Sequence, residues 1–221
     1  MDYAAQTAYF LVAQFPKLFA GFLVTLALSA AAIPLALALG LVLLAPRMAK
    51  NALARRATVG YVDVMRNTPL LVQIYLIYFG LPVLGFFPSE FICGVAGIAL
   101  QHGAFLVETY RAGIEAVSDR QREAARALGM GRLKAFRLVI LPQALMRILG
   151  PLGNQLIVLV KDTSLVSAIG VMDLTMTGKA IIERSAASAQ IFVAVGLFYL
   201  VLTSVVGAAF RLIEHRVAER L

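Results

Sequence analysis

Inside an otherwise apolar stretch, Ile148 to Met172, two charges stand side by side: Lys161 and Asp162. Thr163 and Ser164 follow with hydroxyls, and Asn154 and Gln155 precede them with amides about two turns earlier. A charge held at the centre of a bilayer costs at least about 2.5 kcal/mol on insertion scales, so something must solvate both. Consecutive residues point about 100° apart on a helix, which denies the pair a common face unless the helix opens. Pro151 and Gly153 can loosen the backbone just upstream. Such a set can hold a small zwitterion, its ammonium on Asp162 or its carboxylate on Lys161. Equally, it can form interhelical ion pairs that fix packing.

A second polar group lies further up the chain. Glu108 stands three residues from Arg111, a spacing that pairs them on one helix, and Gln101 and His102 sit about two turns earlier. His102 reads as a packed or hydrogen-bonded residue rather than a proton relay. Gln73 follows Asn67-Thr68-Pro69, where Asn67 or Thr68 is expected to cap a helix and Pro69 to open it. Other chemistries find little support. Cys93 is a lone cysteine, two histidines without cysteine partners give no metal-ligand spacing, and no Gly-x-x-x-x-Gly-Lys-Ser/Thr loop exists to cradle a nucleotide.

The elements that must carry these side chains follow from composition. Of 221 residues, 61% are hydrophobic and 14% charged, with a mean hydropathy of +0.85. A soluble domain of this size is never so apolar, so an all-α, multi-pass membrane protein is expected. Since about 20 apolar residues cross a hydrocarbon core of about 30 Å, the sequence predicts five spans, near 18–44, 59–87, 91–110, 148–172 and 186–210. The first contains 27 uncharged residues, Leu18 to Leu44, and the last contains 25, Ala186 to Phe210. The first run is too long for a signal-peptide core and lacks a basic leader.

Basic residues set the orientation. Arg47, Lys50, Arg55 and Arg56 follow the first span, seven more Arg and Lys occupy 111–142, and Arg211, Arg216 and Arg220 end the chain. Five spans place all three groups on one side, which the positive-inside tendency makes cytoplasmic, with the N-terminus outside. Only Lys17, Lys179 and Arg184 are left for the other face. This distribution accounts for the net charge of +8 without nucleic acid as a partner.

The longest cytoplasmic segment, 111–142, runs into "EAARALGMGRLKAFRLVILPQALM", Glu123 to Met146. Glu123 to Leu128 are strong helix formers with the acid in the first turn, and Gly129 can stop the helix in a left-handed cap. From Leu133 to Ile140 the chain reads as helical again until Leu141-Pro142 bends or restarts it. A short, glycine-stopped helix projecting between spans can fit a pocket on another protein, or lie on anionic headgroups.

This stretch resembles the cytoplasmic signature of permease subunits of binding-protein-dependent ABC importers. Glu123, Ala124, Ala125, Gly129, Leu141 and Pro142 match it, with Val139 in place of Ile. Where that family often carries Pro-x-Gly-Gln-Trp before the signature, this chain has Ser118-Asp119-Arg120-Gln121-Arg122. "RNTPLLVQIYLIYFGLP", Arg66 to Pro82, and "LPQALMRILGPLGNQLIVLVKDTSL", Leu141 to Leu165, resemble its polar amino acid subfamily, of the histidine, glutamine and glutamate-aspartate types.

The resemblance implies a type I ABC importer permease fold in a bacterial inner membrane, a single transmembrane domain over 1–221, and no enzymatic activity of its own. It further implies that Glu123, Ala124, Ala125, Arg126, Leu128 and Gly129 form a coupling helix seated on a separate ATP-binding dimer. A second permease subunit, identical or paralogous, and an extracytoplasmic solute-binding protein are the other implied partners. No cofactor is expected on this chain, because ATP belongs to the partner subunit. The residues expected along the substrate path are Asp162, Lys161, Thr163, Ser164, Asn154, Gln155, Gln73 and Glu108. An ion-gradient-driven or passive amino acid transporter is the alternative, although it leaves the Glu-Ala-Ala segment without a role.

Overall fold

The computed structural model describes residues 3–185 and 188–219, with side chains from residue 9 onward except that of Ser188. The described residues form helices and the turns between them: α1 (Tyr3–Arg47), α2 (Ala52–Asn67), α3 (Leu70–Val83), α4 (Glu90–Glu115), α5 (Asp119–Ala127), α6 (Arg132–Ala135), α7 (Leu141–Asp162), α8 (Leu174–Ser185) and α9 (Ser188–Ala218). A π-helical turn, Phe136–Ile140, joins α6 to α7, and a 3₁₀ segment, Thr163–Ile169, continues α7. Four of these runs are long and apolar enough to cross a membrane: Tyr9–Arg47, Glu90–Glu115, Arg132–Ile169 and Ala189–Ala218; Leu70–Val83 is a shorter apolar helix.

α4 is the hub. Two thirds of its most apolar window is buried, against about a quarter for α1 and α9, so those two helices are left to face lipid or another subunit. Glycines on α4 let its neighbours approach closely, the usual device where lipid supplies no hydrophobic drive between helices. A Cβ on Gly113 would lie 2.2 Å from Ile148 Cγ1 of α7, and one on Gly97 would lie 2.8 Å from Ile74 Cγ1 of α3. Around it, Leu28, Ala32, Ile74, Ile98, Leu106, Leu156, Leu159 and Val166 form one continuous core.

The segment 59–87 is two helices. Pro69 has no N–H to donate and pushes the preceding residue out of the α region, and Thr68 accordingly sits at φ −107°, ψ 134°. The expected cap by Asn67 or Thr68 does not form. Asn67 Nδ2 donates back to the Asp63 carbonyl, and Pro69 itself is the N-cap of α3, with no side-chain hydrogen bond. Other starts follow the usual chemistry: Asn51 Oδ1 accepts from the Leu53 and Ala54 amides, and Ser89 Oγ accepts from Ile92. At Leu141-Pro142 the α-helix restarts as α7, with Pro142 in its first turn, where no intrahelical N–H is missed. The π turn just before it absorbs the change of register.

Candidate functional site

Gln155 and Asp162 are seven residues apart on α7, so two turns bring them onto one face. Against that face α4 presents His102, whose side chain is 1% exposed. Its Nδ1 lies 2.8 Å from Gln155 Nε2, and its Nε2 lies 3.0 Å from Asp162 Oδ2. With the Gln155 amide donating, Nδ1 must be an acceptor. The ring proton then sits on Nε2 and is donated to the carboxylate. Asp162 keeps 30% of its side chain exposed, and its second oxygen has no protein partner among the described residues. The result is a polar chain through an apolar bundle whose last member is an acceptor open at one side.

The remaining residues expected along the path fall into two groups. Some are committed to structural bonds. Gln73 Nε2 donates to the Met65 and Thr68 carbonyls at 2.8 and 3.0 Å, and Gln101 Nε2 donates to the same two at 3.2 and 2.9 Å. These are the carbonyls that the break at Pro69 deprives of partners. Thr163 Oγ1, fully buried, donates to the Val160 carbonyl at 2.7 Å. Glu108 bridges α1 and α4, accepting from Arg47 Nε at 2.7 Å and from Arg111 Nη2 at 2.7 Å, while Arg111 also pairs with Glu115. The expected Glu108–Arg111 pair is therefore present, extended by a residue 61 positions away. Lys161 and Asn154 are exposed, and Ser164 is half-buried. Lys161 and Asp162 thus part company, as their 100° offset requires.

One buried acid was missed by sequence reasoning. Asp173 is fully buried; its Oδ1 accepts from the Met176 amide at 2.8 Å, capping α8, and its Oδ2 accepts from the Tyr199 hydroxyl at 3.3 Å. The Leu174 amide beside it donates to Thr25 Oγ1 of α1 at 3.1 Å. An Asp directly before an apolar helical stretch is a cap signal, and it was there to be read.

The Glu123 segment forms α5. Its end is a Schellman stop: the Met130 amide bonds to the Ala125 carbonyl at 3.0 Å, the Gly129 amide bonds to Arg126 at 2.9 Å, and Gly129 has φ +70°. Arg122 Nη2 ties the helix back to the Ile114 carbonyl at the end of α4, 2.9 Å away. Within Glu123 to Gly129 only Ala125 is buried. Leu128 is 76% exposed and Leu133, just beyond, is 80% exposed. An anchored helix capped by an exposed leucine, with a second exposed leucine at the start of α6, has the anatomy of a docking element.

A bundle of membrane-length helices with a buried polar chain at its centre and a rigid, leucine-bearing helix projecting at one end defines a membrane-embedded transport component. The chain belongs to the family described as binding-protein-dependent transport system inner membrane component, whose model matches residues 32–219. It is 37% identical over 203 residues to the glutamine transport system permease protein GlnP of Escherichia coli K12, covering 91% of this chain and 93% of that one. It is 34% identical over 214 residues to the nopaline transport system permease protein NocM of Agrobacterium fabrum, covering 92% and 89%. Among solved structures, an amino acid ABC transporter crystallised with histidines superposes with a TM-score of 0.87 at 35% identity, covering 98% and 99%. The MetNI methionine ABC transporter shares the fold at 20% identity and a TM-score of 0.66.

Proposed function

We propose that this chain is the permease subunit of an ABC importer for polar amino acids, with five membrane passes, its N-terminus outside and its C-terminus in the cytoplasm of a bacterial inner membrane. In this reading α3 with the end of α2 supplies the second pass. α5 seats in a groove of a separate ATP-binding subunit, whose dimer presents two grooves and so calls for a second permease, identical or related. A solute-binding protein delivers substrate from outside. Closure of the nucleotide-bound dimer moves the two α5 helices together, the bundles rock, and the central cavity changes the side to which it opens. No step of ATP hydrolysis takes place on this chain.

The observation that carries the proposal is α5 itself, stopped by Gly129, tied to α4 through Arg122, and exposing Leu128, which none of the described residues covers. Within the bundle, Asp162 is the residue best placed to receive a substrate ammonium, because His102 occupies one carboxylate oxygen and leaves the other. Gln155 and His102 position it. The test is reconstitution of the permease with its ATP-binding subunit and binding protein in proteoliposomes, with labelled amino acids supplied outside. ATP-dependent accumulation is the expected result. Uptake that follows an imposed ion gradient and ignores ATP would refute the proposal in favour of a secondary transporter.

A further inference from the structure

A cleft of about 530 Å³ lies between α1 and α8, away from the Asp162 chain. On α1 it is lined by Gln14, Lys17, Gly21 and Val24, a single helical face. The two helices run so that Gly21 meets the start of α8, where a Cβ would lie 2.9 Å from the Asp173 carbonyl oxygen. Lys17 is one turn before Gly21, and Arg184 is at the far end of α8, so both cations stand at the same end of the cleft. That end also carries Gln14 and Ser185, whereas Val24 and Met172 line the other. Among the described residues no acidic side chain lines the cleft, and neither Lys17 nor Arg184 has a carboxylate partner there.

The sequence puts both cations at one membrane level. Lys17 immediately precedes the uncharged run Leu18 to Leu44, and Arg184 is separated by a single residue from the run Ala186 to Phe210. A cation at the edge of such a run extends its head to the interface and leaves its stem in the hydrocarbon. The cleft is therefore cationic at headgroup depth and apolar below it. From this arrangement we propose that Lys17 and Arg184 clamp the phosphodiester of an outer-leaflet phospholipid, with the start of one acyl chain lying along Val24 and Met172. A soluble anion or an acidic loop of another protein satisfies the rim and leaves the apolar depth unfilled; a phospholipid satisfies both. The inference rests on the orientation given under Proposed function.

The test is native mass spectrometry of the assembled transporter titrated with phosphatidylglycerol, comparing wild type with Lys17→Gln/Arg184→Gln and with Lys179→Gln, a cation of the same side outside the cleft. The double variant is expected to lose one tightly held lipid per permease, with affinity reduced at least tenfold, while Lys179→Gln keeps it. Inorganic phosphate at millimolar concentration is expected not to displace the lipid, and displacement would reassign the site to a free anion. Equal lipid retention in all three proteins overturns the proposal, as does weaker docking of the binding protein in the double variant with lipid unchanged. Cysteines placed at 17 and 184 in a Cys93→Ser background should react with an impermeant maleimide from outside. Reaction from the cytoplasmic side overturns the orientation, whereas outside reaction with unchanged lipid retention overturns the site alone.

Discussion

Replacing Leu128 by alanine isolates the role assigned to α5, because that side chain is 76% exposed and its loss leaves the fold of the free permease intact. The change removes three carbons, each worth about 0.8 kcal/mol when buried. If a partner groove covers the three quarters of the side chain now facing water, the loss is at most about 1.8 kcal/mol per docked helix, or about 20-fold in affinity. The permease alone should unfold within about 0.5 kcal/mol of wild type, as exposed substitutions do. Leu53→Ala is the matched control, since Leu53 on α2 is 78% exposed and outside α5. Binding of the ATP-binding subunit to permease in nanodiscs gives the affinity, and ATP-driven uptake gives the consequence. A Leu128→Ala permease that binds its motor within twofold of wild type, or a Leu53→Ala permease that loses as much, refutes the assignment.

Asp162→Asn keeps an acceptor for His102 and removes the charge, so uptake is expected to fall at least tenfold with little change in melting temperature; undiminished transport takes Asp162 out of the path. Gln101→Leu leaves the Met65 and Thr68 carbonyls with Gln73 as their one remaining side-chain donor among the described residues, a loss of about 1–3 kcal/mol that a thermal melt in detergent will register. Gly113→Val drives a branched side chain against Ile148 Cγ1, where even a Cβ lies 2.2 Å away; a cost of about 1–3 kcal/mol is expected, partly relieved by adding Ile148→Ala.

The sequence made the element types legible for a simple reason: hydropathy and capping act over a few residues. Runs of about 20 apolar residues became long helices, and the Glu-Ala-Ala segment became a short helix ending at the predicted glycine. Family membership followed from the same segment, because the spacing of Glu123, Gly129 and Pro142 is itself local. The second predicted span shows the limit. Pro69 was visible, yet whether it opens a helix under a side-chain cap or breaks a longer helical segment depends on who satisfies the freed carbonyls, and Gln101 supplying that from 33 positions away leaves no local trace.

The path residues divide in the same way. That Asp162 and Lys161 could not share a partner was fixed by helix geometry before any tertiary contact, since adjacent side chains diverge by about 100°. Which of them turns inward was decided by α4, where His102 meets Gln155 and Asp162 from more than 50 residues away. Likewise, the positions of Gln73, Glu108 and Thr163 in the chain announced polar groups in an apolar medium. Only packing committed them to a helix break, an interhelical ion bridge and a backbone carbonyl. Composition and spacing determine what a segment is, because their energetics are summed along the chain; partnership is determined across it, by whichever distant group arrives within hydrogen-bond reach.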